Sequence, residues 1–205
     1  MKNIILLLYM LSFTSCAVRE NNALTSVRGF QNSLNESFRN PEESPLRGEH
    51  LKNFRKHPFF PIDQKYHITA KLVRTLDAEP MLIPTSSGKT KQFIEYGKAY
   101  FILDGFDVVL SIYQIVDLMK DEQFKSYLFL PFRDQTNGTE TYGGGKYLDL
   151  TLPEKENEII LDFNKSYHPY CAYNAYDYNC PVVPEENTLP VAVRAGVMYE
   201  DIYFD

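Results

Sequence analysis

The dipeptide Asp104-Gly105, set between the apolar-rich runs 100–103 and 108–112, restricts the fold more than any other feature of the chain. A two-residue link in which both positions accept positive φ closes a tight hairpin, and a hairpin makes its strands antiparallel. The same pattern recurs upstream. Met81 to Pro84 and Gln92 to Tyr96 flank the loop 85–89, which contains Gly88, and Tyr66, Ile68, Ala70 and Leu72 alternate with more polar neighbours as a half-buried strand does. Further strands are predicted at 126–132, 146–151, 158–163 and 189–194. Few residues remain for helical crossovers, so the sheet should be mainly antiparallel. The predicted class is mainly β within α+β: an antiparallel β-sandwich or partly open barrel with one or two N-terminal helices packed on it. Fifteen Tyr and 14 Phe without a Trp suit pleated, half-buried surfaces.

Ahead of the strands, Leu24, Val27, Leu34 and Phe38 form a helical stripe that Asn40-Pro41 ends. Ser44-Pro45 then predicts a capped short helix through about Phe54, packed on the sheet by Leu46, Leu51 and Phe54. His57-Pro58-Phe59-Phe60-Pro61 reads as an irregular aromatic plug between helix and sheet.

Residues 1–15 combine Lys2, the apolar run 4–11 and small residues before Cys16, the parts of a secretory signal. The run is too short to span a bilayer. The position of Cys16 resembles a bacterial lipoprotein signal, which implies lipidation of Cys16, a tether over 16–23 and a single domain over 24–205. The expected location is the bacterial cell envelope, anchored by lipid and facing periplasm or cell surface. With 27 acidic against 21 basic residues the formal charge is −6, so no nucleic acid partner is expected. A monomer without cofactor or metal is the simplest expectation.

The polar residues concentrate in two stretches. The first holds Arg133, Asp134, Thr136, Glu140, Tyr142, Lys146 and Asp149 around four glycines, and it is no nucleotide P-loop because Tyr147 follows Gly145-Lys146. It is either a long turn held by an Arg133–Asp134 or Arg133–Glu140 bridge, or a binding surface. The second places Asp162 and Asn164 on one face of a strand end, with His168 beyond it. Pairing of 146–151 with 158–163 through the turn 153–157 would join the stretches into one cluster, with Arg133 as its anion anchor. His168, Cys171 and Cys180 have the residue types of a zinc site but lack a fourth ligand. In an exported chain Cys171 and Cys180 are better read as a disulfide. Tyr167, Tyr170, Tyr173 and Tyr176, with Tyr178, form a ladder that either packs on the sheet or stacks on a sugar or aromatic ligand.

The run from Leu130 to Leu150, the run Leu161-Asp162-Phe163-Asn164 to Tyr170-Cys171-Ala172-Tyr173-Asn174, Cys180-Pro181, the block 184–190 and Ala195-Gly196 together resemble the domain of unknown function family 1684, over about 40–197. His168, Lys146 and Val197 stand where that family more often has Asn, Arg and Glu. The resemblance implies a shared fold and polar cluster without an assigned activity. The functional expectation is an exported, lipid-anchored envelope domain that binds a small polar or anionic ligand or a protein partner through these segments. An envelope hydrolase using their carboxylates, or a purely structural module, is the alternative.

Overall fold

The computed structural model describes residues 23–200 and 202–203. The signal-like segment and Cys16 lie outside them. An N-terminal helix, α1, covers 23–39, and a short helix, α2, covers Gly48–Asn53. Seven strands follow: β1 His67–Arg74, β2 Met81–Pro84, β3 Thr90–Leu103, β4 Phe106–Ile115, β5 Tyr127–Phe132, β6 Lys146–Thr151 and β7 Glu158–Asp162. They form one antiparallel sheet in the order β6-β5-β4-β3-β1-β7, with β2 added to β3. The curled sheet is a partly open barrel.

Asp104 and Gly105 have φ of 49° and 85°, so the β3–β4 hairpin turns through two left-handed residues as its sequence requires. A β-bulge between Glu95 and Gly97 bends β3, and there β1 comes so close that a Cβ on Gly97 would lie 2.6 Å from Val73 O. Strand alternation sends Leu72, Ala99, Leu110, Leu130, Leu148 and Leu161 inward to the main core. The opposite face carries a smaller layer of Ile83, Phe93, Tyr113, Phe129, Tyr147 and Val183. At about 25 cal/mol per Å² of apolar surface, the two layers are the main stabilising term.

Three expectations are corrected. Residues 189–194 form no strand, although Leu189, Val191 and Val193 are buried in the core as the alternation demands. This segment fills the barrel interior instead of lying along an edge, so loop and side-chain groups satisfy its backbone. Leu189 N donates to Arg133 O, Gln135 N to Val191 O, and Val193 N to Asp134 Oδ1. Next, β6 and β7 do not pair. β6 pairs with β5 over Tyr127↔Thr151 to Phe132↔Lys146, and β7 pairs with β1 over His67↔Asp162 to Lys71↔Glu158. Alternation fixes which face a strand buries, not which neighbour it takes, and the exposed segment 154–157 is too long to impose a hairpin. Finally, α2 starts at Gly48 instead of at a Ser44 cap. Ser44 Oγ accepts from Leu46 N in a local turn, and Leu51 and Phe54 pack with Phe38, Ala172 and Tyr173 and not on a strand.

Candidate functional site

The predicted polar residues separate into groups. Gly145, with φ of 104° and a Cβ position 2.8 Å from Phe132 O, turns the chain so that Lys146 enters the core. Lys146 and Asp134 are fully buried side chains with Nζ 2.8 Å from Oδ2, an ionic contact in which Oδ2 lacks hydrogen-bond alignment. Lys146 Nζ donates to Val193 O at 2.7 Å. Asp134 Oδ1 accepts from Thr136 N at 2.7 Å, Thr136 Oγ1 at 2.6 Å and Val193 N at 3.2 Å. The group therefore clamps both backbone groups of Val193 and holds the interior segment in place. Loss of water pulls the Lys146 pKa down against the attraction of Asp134.

Neither expected bridge to Arg133 forms. Asp134 is taken by Lys146, and Glu140 pairs at the surface with Arg194, whose Nη2 lies 2.8 Å from Oε1. Arg133 Nε is buried without a partner among the described residues. His168 is buried beside the clamp, where Tyr142 N donates to its Nε2 at 3.4 Å, and desolvation holds its pKa well below the ordinary value. Asp162 and Asn164 lie apart. Asn164 Nδ2 donates to Asp162 Oδ1 and to Asp63 O, each at 3.0 Å, and His67 Nδ1 is 3.4 Å from Asp162 Oδ2. The shared cluster built around Arg133 thus does not form.

Cys171 and Cys180 are joined as a disulfide with Cα atoms 6.1 Å apart. No group of three or more metal-ligating side chains occurs among the described residues. Cys180 of the disulfide lines a cleft of about 350 Å³ on the outer face of the sheet. Phe30 and Leu34 of α1 form one wall, and Tyr147, Tyr167, Tyr170 and Tyr178 line it from the sheet and the 167–181 segment. Lys91 and Asn179 reach its rim.

Asp149 projects from β6 into this cleft. Its Oδ1 accepts from Tyr167 Oη at 2.7 Å and from Tyr127 Oη at 2.8 Å, while Oδ2 has no partner among the described residues. Asp149 is an exposed residue, but neighbouring groups displace part of the water around its carboxyl. Loss of water therefore raises its pKa, and the two tyrosine donors oppose that rise. Tyr167 itself is pushed well above its ordinary pKa, so it stays a donor across the physiological range. The cleft combines flat apolar walls with one open acceptor and rim donors, the composition of a small-ligand site.

The family model for "Protein of unknown function (DUF1684)" matches residues 52–198. The chain belongs to this family. A solved structure, the solution NMR structure of the uncharacterized protein from gene locus rrnAC0354 of Haloarcula marismortui, is similar at 29% identity and a TM-score of 0.69, covering 88% of this chain and 96% of that one. A search of curated proteins found no match. The residues that carry the resemblance thus divide between the interior clamp, through Asp134 and Lys146, and the cleft, through Tyr147, Asp149, Tyr167 and Tyr170. Alternation within 146–151 places Asp149 and Tyr147 on the face opposite Leu148, a signal sufficient to have separated them from Lys146. Tyr127, Lys91 and Phe30 join the site only through the fold, and nothing local in the sequence marks them.

Proposed function

We propose that this DUF1684 protein is a binding module of the cell envelope whose outer-face cleft takes a ring-bearing, hydroxyl-rich ligand, with a carbohydrate as the chemical class. The observation that carries the proposal is Oδ2 of Asp149, which accepts no hydrogen bond among the described residues, in the lining of a tyrosine-walled cleft. Tyrosine faces stack on the C–H face of a sugar ring, a carboxylate oxygen accepts from its hydroxyls, and Lys91 and Asn179 donate to its oxygens. Asp149 is the one carboxylate lining the cleft among the described residues, which favours binding over a hydrolase that needs two. Export and anchoring through Cys16 rest on the signal-like N-terminus. The Cys171–Cys180 disulfide supports an oxidising compartment.

The test is an NMR titration of the isotopically labelled protein with a panel of mono- and disaccharides. Shifts should map to Tyr147, Asp149, Tyr167 and Tyr178, and Asp149→Asn should weaken binding by about tenfold, the worth of one charge-assisted hydrogen bond. Binding should also fade as the pH falls through the raised pKa of Asp149, because the protonated carboxyl is a poorer acceptor. Shifts confined to another surface, or unchanged affinity in Asp149→Asn, would refute the reading.

A further inference from the structure

The two edges of the sheet face each other across a groove of about 610 Å³ that meets the tyrosine cleft at Asp149. β6 and β7 leave the segment 152–157 splayed, and beyond the groove the bridge Tyr147↔Tyr167 draws the chain together again. The backbone directions along these edges follow from neighbouring bonds. Tyr147 exchanges both its backbone groups with Tyr167, at 2.8 and 3.0 Å, on the side away from β5. The period of two along a strand then turns the N–H and C=O of Asp149 and Thr151 the same way, towards the groove. On β7, Asn157 O accepts from Leu72 N on the β1 side, so Ile160 directs its N–H and C=O away from β1 and towards the same groove. None of these three residues has a backbone partner on its groove side among the described residues.

A row of unpaired ladder groups on both banks of one groove is what an added strand needs. The charge is also acidic on balance. Asp149, Glu154, Glu158 and Asp162 line the groove, against Lys155 and Lys165 and the half-exposed His67. Lys155 is already taken by Glu158 at 2.7 Å, and Lys165 donates to Ser26 Oγ at 2.8 Å while lying 4.0 Å from Asp162. An occupant with alternating basic side chains complements this lining.

We infer that the open seam between β6 and β7 is a docking site for an extended, basic polypeptide segment that adds a strand to the sheet edge. Main-chain bonds to Asp149, Thr151 and Ile160 supply the affinity, and the surrounding acids select lysine or arginine. The seam shares only Asp149 with the tyrosine cleft, and Thr151 and Ile160 belong to the seam alone, so protection of those two amides separates the two readings.

The experiment uses the full chain and three capped synthetic peptides: one alternating valine and lysine, the same peptide N-methylated at every residue, and one alternating valine and glutamate. Amide hydrogen exchange is read at Thr151 and Ile160, which lie outside the tyrosine cleft. The valine–lysine peptide should slow exchange at both amides by about tenfold, and the N-methylated and glutamate peptides should bind at least about tenfold more weakly. Failure of the valine–lysine peptide to protect either amide at millimolar concentration would overturn the inference. So would equal binding of the N-methylated peptide, which keeps every side chain but loses its donors, or of the glutamate peptide.

Discussion

Tyr167 is bound twice to β6: its backbone exchanges two hydrogen bonds with Tyr147, and its hydroxyl donates to Asp149 Oδ1 at 2.7 Å. Main chain and side chain therefore fix the 167–181 segment against the edge strand at adjacent outward-facing positions. The aromatic wall and the acceptor of the cleft are parts of one bonded unit. A ligand of the proposed kind would meet groups already in place, which would lower the ordering cost of binding.

The Lys146–Asp134 pair should behave as a structural clamp. Lys146→Met keeps the length and packing of the side chain but leaves Asp134 buried without its counter-charge, so stability should fall by about 3–5 kcal/mol. Adding Asp134→Asn, which retains an acceptor for Thr136 and Val193, should recover a large part of that loss. Urea unfolding of both variants measures this, and an unchanged midpoint in Lys146→Met would contradict the clamp.

Acid should destabilise the fold through its buried histidines. His57 is buried among Phe38, Phe54 and Tyr173, and desolvation lowers its pKa from the ordinary 6.5 to about 3. The unfolded chain then binds a proton that the folded chain refuses. His57's contribution is complete above pH 6.5 and is lost progressively as the pH falls towards 3, by about 1.4 kcal/mol per pH unit. His168, lowered in the same direction, steepens the loss. His57→Phe should flatten the dependence of stability on pH between 6.5 and 4; an equally steep profile in that variant would assign the acid sensitivity elsewhere.

The disulfide closes the loop 172–179, and the loop-closure entropy of a ring that short corresponds to roughly 2–3 kcal/mol. Replacing Cys171 and Cys180 together by alanine should lower stability by that amount in a urea titration. Intact mass of the native protein should show no free thiol at either position.

Anchoring is tested at Cys16. In a bacterial host the full chain should partition with membranes and carry added lipid mass, and Cys16→Ser should abolish both. Membrane association that survives the substitution would overturn the proposed lipid anchor.

Much of the sheet was legible because its signals are local. Asp104-Gly105, the loop around Gly88 and the alternation after Tyr66 each act within a few residues, and the structure places strands where those signals lie. The partners of Asp134 and Glu140 were not legible, since Lys146 and Arg194 reach them through the fold and Arg133 is merely nearer in sequence. The segment 189–194 misled for a related reason. Its alternation reports burial on one side, and a chain threaded through the barrel interior satisfies that pattern without a ladder. The tyrosine ladder was read with both its uses open, and the structure divides it: Tyr173 is buried against Phe38, while Tyr167, Tyr170 and Tyr178 border the cleft.

The exposed segment 154–157 joins two strands that share no ladder, although they are neighbours in the chain. Cutting the chain there severs no strand pair. The two pieces, one ending after β6 and the other beginning at β7, would still recognise each other through β1 with β7 and through the interior residues 189–195. The molecule thus carries a natural seam for division into complementing fragments, and a protease that nicks it at Lys155 should leave a folded, non-covalent pair.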